Sequence, residues 1–404
     1  MKNLKHTLLL GAGLLFWTSC TPETTDPNAD LKTNVVNNYC EIVYASYEDS
    51  YNKAVDLQTA INALVATPTQ TTFDAARNAW FVAREPYGQT EAYRFYDGPI
   101  DDADGPEGAL NAWPLDENYI DYTRDNAGGT ANTGIIYDVT NYPNITASVL
   151  SGANEVGGEK NISIGYHAIE FLLWGQDYID VNTNAGQGGN RLHTDYTNIA
   201  TNHVRRGEYI KACAQLLVDD LATLKAEWAP GGTYRTYFEG LSTDVALSKI
   251  LTGIGVLSKS ELAGERMFTA LEANAVDNPQ EDEHSCFSDN THRDIITNAA
   301  GITNVLKGTY TRVSGTTVGD AQYSILTLVA KIDATKGADL TAKNVAATAK
   351  VLAIPTPFDK TVTEENVTDN GPVLQAVTAL QNQGDAIAEA ATALGLTIST
   401  ELPE

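Results

Sequence analysis

The sequence predicts an all-α protein made of two helical bundles. Long segments keep apolar residues three and four positions apart, as the buried face of a helix does, and runs with the alternating pattern of strands are hard to find. Glycine and proline interrupt the pattern near residue 230, which predicts a boundary there. Once a short leader is removed, about 380 residues remain, a length that suggests two domains.

The N-terminus predicts export and lipid attachment. A short basic start precedes an apolar run, residues 8–16, that is too short to cross a bilayer, and Cys20 follows shortly after it. We therefore interpret residues 1–19 as a lipoprotein signal peptide, with an ordinary secretory signal as the alternative. Lipid on Cys20 would anchor the protein in the bacterial cell envelope, on the periplasmic or outer-membrane face. Residues 20–33, rich in Thr, Pro, Asp and Asn, predict a flexible tether.

Residues 34–230 are predicted to form the N-terminal bundle. Its helices are expected over residues 36–65, 71–95 and 161–175, with a fourth ending at residue 228. Thr71 or Thr72 is the expected cap of the second helix, and Pro86 is expected to kink or break it. Residues 98–160 lose helical periodicity, and a connection of that length usually has a functional role.

Residues 231–404 are predicted to form the C-terminal bundle. Helices are expected over residues 241–273, 291–309, 319–335 and 365–396. Short amphipathic stretches between residues 337 and 353 predict at most a turn or two more.

Charge and cysteine content exclude some functions. The formal net charge of −26 makes nucleic acid a poor partner. No later stretch has the length and apolarity of a membrane span, so membrane contact is expected only through the lipid on Cys20. Cys40 and Cys213 fall in helical patterns and are most simply small core residues, although a disulfide between them stays open.

One apolar helical segment carries an imidazole and a carboxylate. His167 and Glu170 lie three residues apart and therefore share a helix face, while neighbouring apolar residues are buried. In metal-binding helix bundles, Glu and His three residues apart ligate one ion, so the pair predicts a metal site. A hydrogen-bonded pair in the core without a metal is the alternative.

Residues 165–170 read Gly-Tyr-His-Ala-Ile-Glu and resemble the Gly-x-His-x-x-Glu signature of the imelysin family, also called the peptidase M75 or iron-regulated protein A family. Four further stretches resemble blocks of that family, in the same order: residues 79–98, 111–121, 262–267 and 280–294. The resemblance implies a cell-envelope protein with a role in iron uptake. The family's peptidase name implies a metallopeptidase as the second possibility.

Further ligands are expected in and after the first of these stretches. Arg84, Tyr87 and Glu91 lie on one face of the predicted second helix. Glu91 is a candidate third ligand. Arg84 and Tyr87 are expected to contact the ligands, not the metal, and to orient them. Asp101, or its neighbour Asp102, could add a fourth oxygen. A surface salt bridge and solvated loop acids are the simpler alternatives.

Residues 280–289 contain several acids and His284, which at first suggest a second metal cluster. Consecutive side chains point in different directions and cannot all chelate one ion. We therefore interpret this stretch as a loop in which Ser288 or Asp289 caps a helix that begins near Thr291.

The predicted function is binding of a divalent or trivalent metal cation. Oxygen ligands with an imidazole suit iron or manganese better than copper(I), and scattered cysteines disfavour a thiolate zinc site. Iron follows from the family resemblance, with zinc as the alternative ion and an envelope iron transporter or receptor as the expected partner. Hydrolysis is less supported, because the sequence has no His-Glu-x-x-His motif and one His with one Glu supplies too few groups. A module that binds an envelope polysaccharide is a third possibility.

Overall fold

The computed structural model describes residues 26–124, 129–177, 188–273 and 282–403, and its architecture is mostly helical, which confirms the predicted class. The predicted signal peptide and Cys20 lie outside the described residues. The first helix begins at Ala29, within the segment predicted to be a tether. The division into two bundles at residue 230 stays a prediction.

The first 230 residues contain both long and very short helices. They are α1 (Ala29–Ala66), α2 (Gln70–Thr90), α3 (Glu107–Leu110), α4 (Glu117–Ile120), α5 (Gly134–Tyr137), α6 (Ala147–Ala153), α7 (Gly165–Trp174) and α8 (His203–Trp228). Single 3-10 turns follow α2 and precede α8 (Glu91–Tyr93, His193–Tyr196 and Ile199–Thr201). Two short strands, β1 (Thr123–Arg124) and β2 (Thr130–Ala131), pair antiparallel. The stretch without periodicity, residues 98–160, therefore contains short helices rather than only loop.

The rest of the chain is also helical. Its helices are α9 (Thr233–Glu239), α10 (Thr243–Val256), α11 (Thr269–Ala273), α12 (Thr291–Lys307), α13 (Ile325–Ile332), α14 (Ala334–Val351), α15 (Phe358–Glu364) and α16 (Pro372–Ala393). A π-helical segment, Leu257–Phe268, joins α10 to α11. Antiparallel strands β3 (Thr309–Thr311) and β4 (Thr317–Gly319) and a 3-10 turn (Ala321–Tyr323) lie between α12 and α13.

Two helices differ from their sequence predictions for local reasons. Helix α2 is capped by Thr69, because Thr69 and Thr72 exchange hydroxyl and backbone hydrogen bonds, and it continues through Pro86 to Thr90. Helix α14 runs for 18 residues where only a turn or two was expected. At the start of α14, the side chain of Asp333 accepts hydrogen bonds from two backbone N–H groups that have no partner within the helix.

Helix α7 lies in the protein interior. All ten of its residues are buried, and it packs against α2, α3 and α8. Helix α1 packs along α2 and α8, while α12, from the second half of the chain, packs on α2. The motif helix α7 and helix α12 therefore both lie against α2.

Among the described residues, no single helix is long and apolar enough for a membrane span. One pair, His203–Glu239 with Thr243–Ala273, reaches the required length and composition only when both helices are taken together across a 107° bend.

Candidate metal centre

Gly165 allows α7 to begin where it does. Its φ is 90°, a backbone conformation that favours glycine. A Cβ atom at this position would lie 2.7 Å from the backbone oxygens of both Ala109 and Leu110. The glycine of the signature therefore lets α7 start directly against α3, which places His167 and Glu170 in the interior.

His167 and Glu170 form a buried pair. The Nδ1 atom of His167 lies 2.8 Å from Oε2 of Glu170, and both side chains are fully buried. The other oxygen of Glu170 accepts hydrogen bonds from the backbone N–H and the hydroxyl of Ser288, at 3.0 and 2.7 Å. Burial raises the pKa of Glu170 well above its usual value, although the Ser288 hydrogen bonds oppose the rise. Both oxygens of Glu170 are thus engaged by protein groups.

His284 is the partner of His167 that the sequence reasoning missed. The two Nε2 atoms lie 3.3 Å apart, and Nδ1 of His284 lies 3.6 Å from Oδ2 of Asp294. The ring of Trp113 packs edge-on against both imidazoles. Burial lowers the pKa of both histidines well below the usual value, and nearby positive charges, Arg84 among them, lower it further. Neutral imidazoles are the form that binds metal ions.

Arg84 forms an ion pair with the oxygen of Asp294 that does not face His284. Its guanidinium lies 3.0 Å from Oδ1 of Asp294 and donates a 2.6 Å hydrogen bond to the side chain of Asn111. The other oxygen of Asp294 accepts a hydrogen bond from the Ser285 hydroxyl. A continuous buried network therefore runs from Arg84 through Asp294 and the two histidines to Glu170.

The other predicted site residues have different neighbours. Glu91 pairs with Arg94 at 2.7 Å and accepts a longer hydrogen bond, 3.4 Å, from Asn111. Asp101 accepts the backbone N–H groups of Phe95 and Gly98 and so closes a turn.

Tyr87 packs its ring at a tilt against Tyr166, with centroids 4.7 Å apart, and Arg84 lies over the face of Tyr87. In the described part of the chain, no three His, Cys, Asp or Glu side chains form a ready ligand set for a metal ion. The predicted set of His167, Glu170, Glu91 and Asp101 stays a prediction.

The interpretation of residues 280–289 as a capping loop is wrong in its details. Asn290 is the N-cap of α12 and makes no side-chain cap bond. Ser288 bonds to Glu170 instead, and Asp289 accepts the backbone N–H of Gly188 at 2.7 Å. The loop therefore supports the buried pair on α7. The sequence feature that could have identified His284 was its position within residues 280–294, a stretch that resembles a block of the family.

Asp289, in the same loop, is expected to make the stability of the protein depend on pH. Burial raises the pKa of Asp289 from 3.8 to about 7, and the charges of Asp177 and Asp359 add to the rise. An acid whose pKa is higher in the folded state stabilises the protein fully below about pH 4 and loses that contribution as the pH rises toward 7. We expect the melting temperature of Asp289→Asn, relative to the wild type, to increase between pH 4 and 7 in circular-dichroism melts.

Because both proteins keep the two histidines, the contribution of histidine titration cancels in this comparison. The exposed Asp339, which lies inside α14 beyond its first turn, provides the control, and Asp339→Asn shows what the removal of an exposed carboxylate does to the profile. Parallel profiles for wild type and Asp289→Asn would contradict the prediction.

A pocket of about 370 Å³ opens beside His284. Its lining combines an aromatic wall with several charged side chains: Trp113, Pro114, Glu261, Glu265, Arg266, Thr269, Asp282, His284 and Leu402. The pocket thus reaches His284, while His167 lies deeper in the protein.

Comparison with known proteins agrees with the predicted family and fold. The family model Peptidase_M75, imelysin, matches residues 43–387. Iron-regulated protein A from Synechococcus elongatus is 26% identical over 282 residues, and this match covers 70% of the present chain and 65% of that protein. The chain thus matches less than two thirds of the length of this relative.

Two solved structures share the fold. A crystal structure of a candidate iron-regulated protein A precursor from Parabacteroides distasonis has a TM-score of 0.70 at 19% identity and covers 92% of this chain and 97% of its own. An imelysin-like protein from Psychrobacter arcticus has a TM-score of 0.63 at 13% identity, covering 93% and 98%. At these identities the likeness shows the fold alone.

Proposed function

Because this chain belongs to the imelysin family, we propose that it binds a metal cation and serves iron uptake at the bacterial cell envelope. The observation that supports cation binding is the arrangement of His167 and His284, whose Nε2 atoms face each other at 3.3 Å while each Nδ1 faces a carboxylate. The name of the cyanobacterial relative supports the link to iron.

The separation of the two nitrogens suits a shared ion. Two histidine nitrogens at about 2.0–2.1 Å from one tetrahedral ion stand about 3.3–3.4 Å apart. When His167 donates its Nδ1 hydrogen to Glu170, its Nε2 atom carries a lone pair and lies 3.3 Å from Nε2 of His284. A cation between the two Nε2 atoms would replace their direct contact with two ligand bonds. The residues present therefore fit a metal that uses imidazole ligands, such as Fe²⁺ or Zn²⁺.

The two carboxylates take a positioning role in this proposal. Metal-binding histidines commonly donate their second ring N–H to a carboxylate, which fixes the tautomer and the ring orientation. Glu170 is the carboxylate partner of Nδ1 of His167, at 2.8 Å. Asp294 faces Nδ1 of His284 at 3.6 Å. Glu170 therefore orients a ligand, since Ser288 engages its remaining oxygen.

Localisation in the envelope is part of the proposal and depends on the predicted signal. A lipid on Cys20 would tether the helical body near an envelope iron transporter or receptor. Iron is the proposed ion and zinc the alternative.

The histidine pair can be tested by substitution. We expect His167→Ala and His284→Ala each to lower the affinity for Fe²⁺ or Zn²⁺ at least about 100-fold, and Glu170→Gln to lower it about 10–100-fold. Anaerobic titration calorimetry measures the affinities, and elemental analysis of protein purified without chelators identifies the ion. His292→Ala is the control, because His292 is half-buried on α12 and makes no described contact with the pair.

Other outcomes would favour the alternatives. Variants that bind metal normally but lose proteolysis would support a metallopeptidase. Variants that only melt at lower temperature, with unchanged metal content, would assign the pair a structural role and leave an envelope polysaccharide as a possible ligand.

A further inference from the structure

We propose that Trp113 is a positioning residue of the metal centre: its indole ring holds the imidazoles of His167 and His284 in the arrangement that lets them share one ion. The inference rests on the proposed function, because it concerns how the same pair is kept in place. The contacts that support it are those of Trp113 with the two histidines and with the chain segments that carry them.

Trp113 contacts both histidines of the pair. The centroid of its ring lies 5.1 Å from that of His167 and 6.4 Å from that of His284, with interplanar angles of 61° and 85°. Edge-to-face arrangements of this kind are a preferred geometry of aromatic rings. Glu170 contacts Nδ1 of His167, and Asp294 faces Nδ1 of His284. Each carboxylate therefore orients one imidazole, whereas Trp113 fixes the two imidazoles relative to each other.

His284 depends on this packing more than His167 does. Nδ1 of His167 lies 2.8 Å from Oε2 of Glu170, which is a hydrogen-bond distance. Nδ1 of His284 lies 3.6 Å from Oδ2 of Asp294, which is too long for a direct hydrogen bond. A contact of that length sets the ring orientation only weakly. The edge-on packing of Trp113 supplies the restraint that the hydrogen bond supplies to His167.

Phe287 extends the aromatic packing to both chain segments that carry the pair. The ring centroids of Trp113 and Phe287 are 5.5 Å apart, and those of Phe287 and Phe171 are 5.2 Å apart. Phe287 lies in the same loop as His284, and Phe171 lies on α7 with His167. Movement of Trp113 would therefore loosen the loop against α7 as well as the histidine rings themselves.

Asn111 anchors the segment that carries Trp113. The buried side chain of Asn111 accepts a 2.6 Å hydrogen bond from Arg84 and donates a longer one, 3.4 Å, to Glu91. Arg84 also pairs with Asp294. The position two residues before Trp113 is thus tied to the same buried network that supports His284.

Metal binding requires this degree of order. A binding site works when packing and supporting contacts hold its ligands to within about 0.5 Å and 10–20° of the required geometry. The two Nε2 atoms lie 3.3 Å apart, a separation that suits one tetrahedral ion. Without the indole, space opens beside both rings, and each ring can turn away from the other. Affinity for the ion should then fall although both histidines are still present.

Substitution of Trp113 tests the inference. We expect Trp113→Leu and Trp113→Met each to lower the affinity for Fe²⁺ or Zn²⁺ about 10–100-fold, as the loss of other groups that orient metal ligands does. Trp113→Phe keeps an aromatic ring and should recover most of the loss. Methionine adapts to irregular space, so Trp113→Met keeps the test available if the leucine variant is unstable. Anaerobic titration calorimetry on the folded proteins measures the affinities.

Bound Co²⁺ provides a spectroscopic signature of the ligand arrangement. Four-coordinate Co²⁺ absorbs visible light much more strongly than six-coordinate Co²⁺, so its spectrum reports the geometry of the site. An imidazole that has turned away is replaced by water. We therefore expect the absorption per bound ion, at saturating Co²⁺, to fall in Trp113→Leu and Trp113→Met and to return in Trp113→Phe. A loss of stability alone would leave this spectrum unchanged.

Trp228→Leu is the matched control. Trp228 is 1% exposed, and its ring packs near edge-on against Tyr39 and Tyr234, at centroid distances of 6.0 and 5.0 Å. Neither histidine of the pair is among these contacts. We expect Trp228→Leu to melt at a lower temperature but to keep the wild-type metal affinity and Co²⁺ spectrum while folded.

Two results would overturn this inference alone. One is wild-type affinity and Co²⁺ absorption in folded Trp113→Leu and Trp113→Met while His284→Ala still loses binding. The other is an equal loss of affinity in Trp228→Leu, since the effect would then follow stability and not the contact with the imidazoles. A wild-type protein that binds neither Fe²⁺ nor Zn²⁺ would instead overturn the proposed function, and this inference with it.

Discussion

Arg84→Met is expected to destabilise the protein by about 3–5 kcal/mol, because it leaves the carboxylate of Asp294 buried without its counter-charge. The side chains of Arg84 and Asp294 are only 2% and 4% exposed, and their charged groups lie 3.0 Å apart. Methionine keeps much of the length of arginine, so the loss comes mainly from the missing charge and hydrogen bonds. Urea unfolding followed by circular dichroism measures the free energy of unfolding.

A second ion pair between the same two helices provides the control. Arg293 on α12 pairs with Glu85 on α2 at 2.7 Å, but these side chains are 45% and 40% exposed. Solvent screens such a pair, so Arg293→Met should cost about 1 kcal/mol or less. Equal losses in the two variants would contradict the argument from burial.

The Arg84→Met variant also probes the metal centre. Asp294 faces Nδ1 of His284, and without Arg84 its position and charge are no longer fixed. We expect metal affinity in the folded variant to fall about 10–100-fold, as for other losses of a group that orients a ligand. Unchanged metal affinity in folded Arg84→Met would show that Asp294 does not orient His284.

Asp121→Asn is the other substitution with a large expected effect. The fully buried carboxylate of Asp121 lies 2.7 Å from the guanidinium of Arg191, and Arg206 donates to both of its oxygens at 2.7 and 2.8 Å. An amide would leave two buried guanidinium groups without their shared negative charge. We expect a loss of about 3–5 kcal/mol at neutral pH, measured by urea unfolding.

The expected pH dependence of this site has the opposite sign to that of Asp289. Burial acts to raise the pKa of Asp121, but Arg191 and Arg206 outweigh it, so the pKa lies below the usual value. The stabilisation is therefore present above about pH 4 and is lost as the pH falls through the lowered pKa. Asp195→Asn is the control, since Asp195 is more exposed and Arg191 keeps its closer partner Asp121. A similar loss in both variants would contradict the prediction.

The contact between His167 and Glu170 could be predicted because it is local. Residues three apart on a helix face the same side whatever the rest of the protein does, and the apolar neighbours predicted burial. The long helices α1 and α8 were predictable for the same reason. Helix α14 was underestimated, since its many alanine and threonine residues give a weak apolar rhythm.

The roles of acidic residues were not predictable from spacing. Glu91 and Asp101 have ligand chemistry, yet their nearest partners are Arg94 and backbone N–H groups. Whether a carboxylate is available to a metal depends on which hydrogen-bond donors and cations already contact its oxygens in the folded protein. Those donors come from other parts of the chain, so only the packed structure identifies them.

The amino-acid sequence by itself determined the helical class and the imidazole–carboxylate pair on α7, while the export signal stays a prediction. Helical periodicity and three-residue spacing follow from local backbone geometry, which a single chain segment fixes. The tertiary structure alone decided that His284, 117 residues away, meets His167, that Asp294 and Arg84 support it, and that a pocket opens beside it. These contacts depend on how α12 and its preceding loop pack against α2 and α7. Burial of apolar surface brings these side chains together, although they are far apart in the sequence and share no helical spacing.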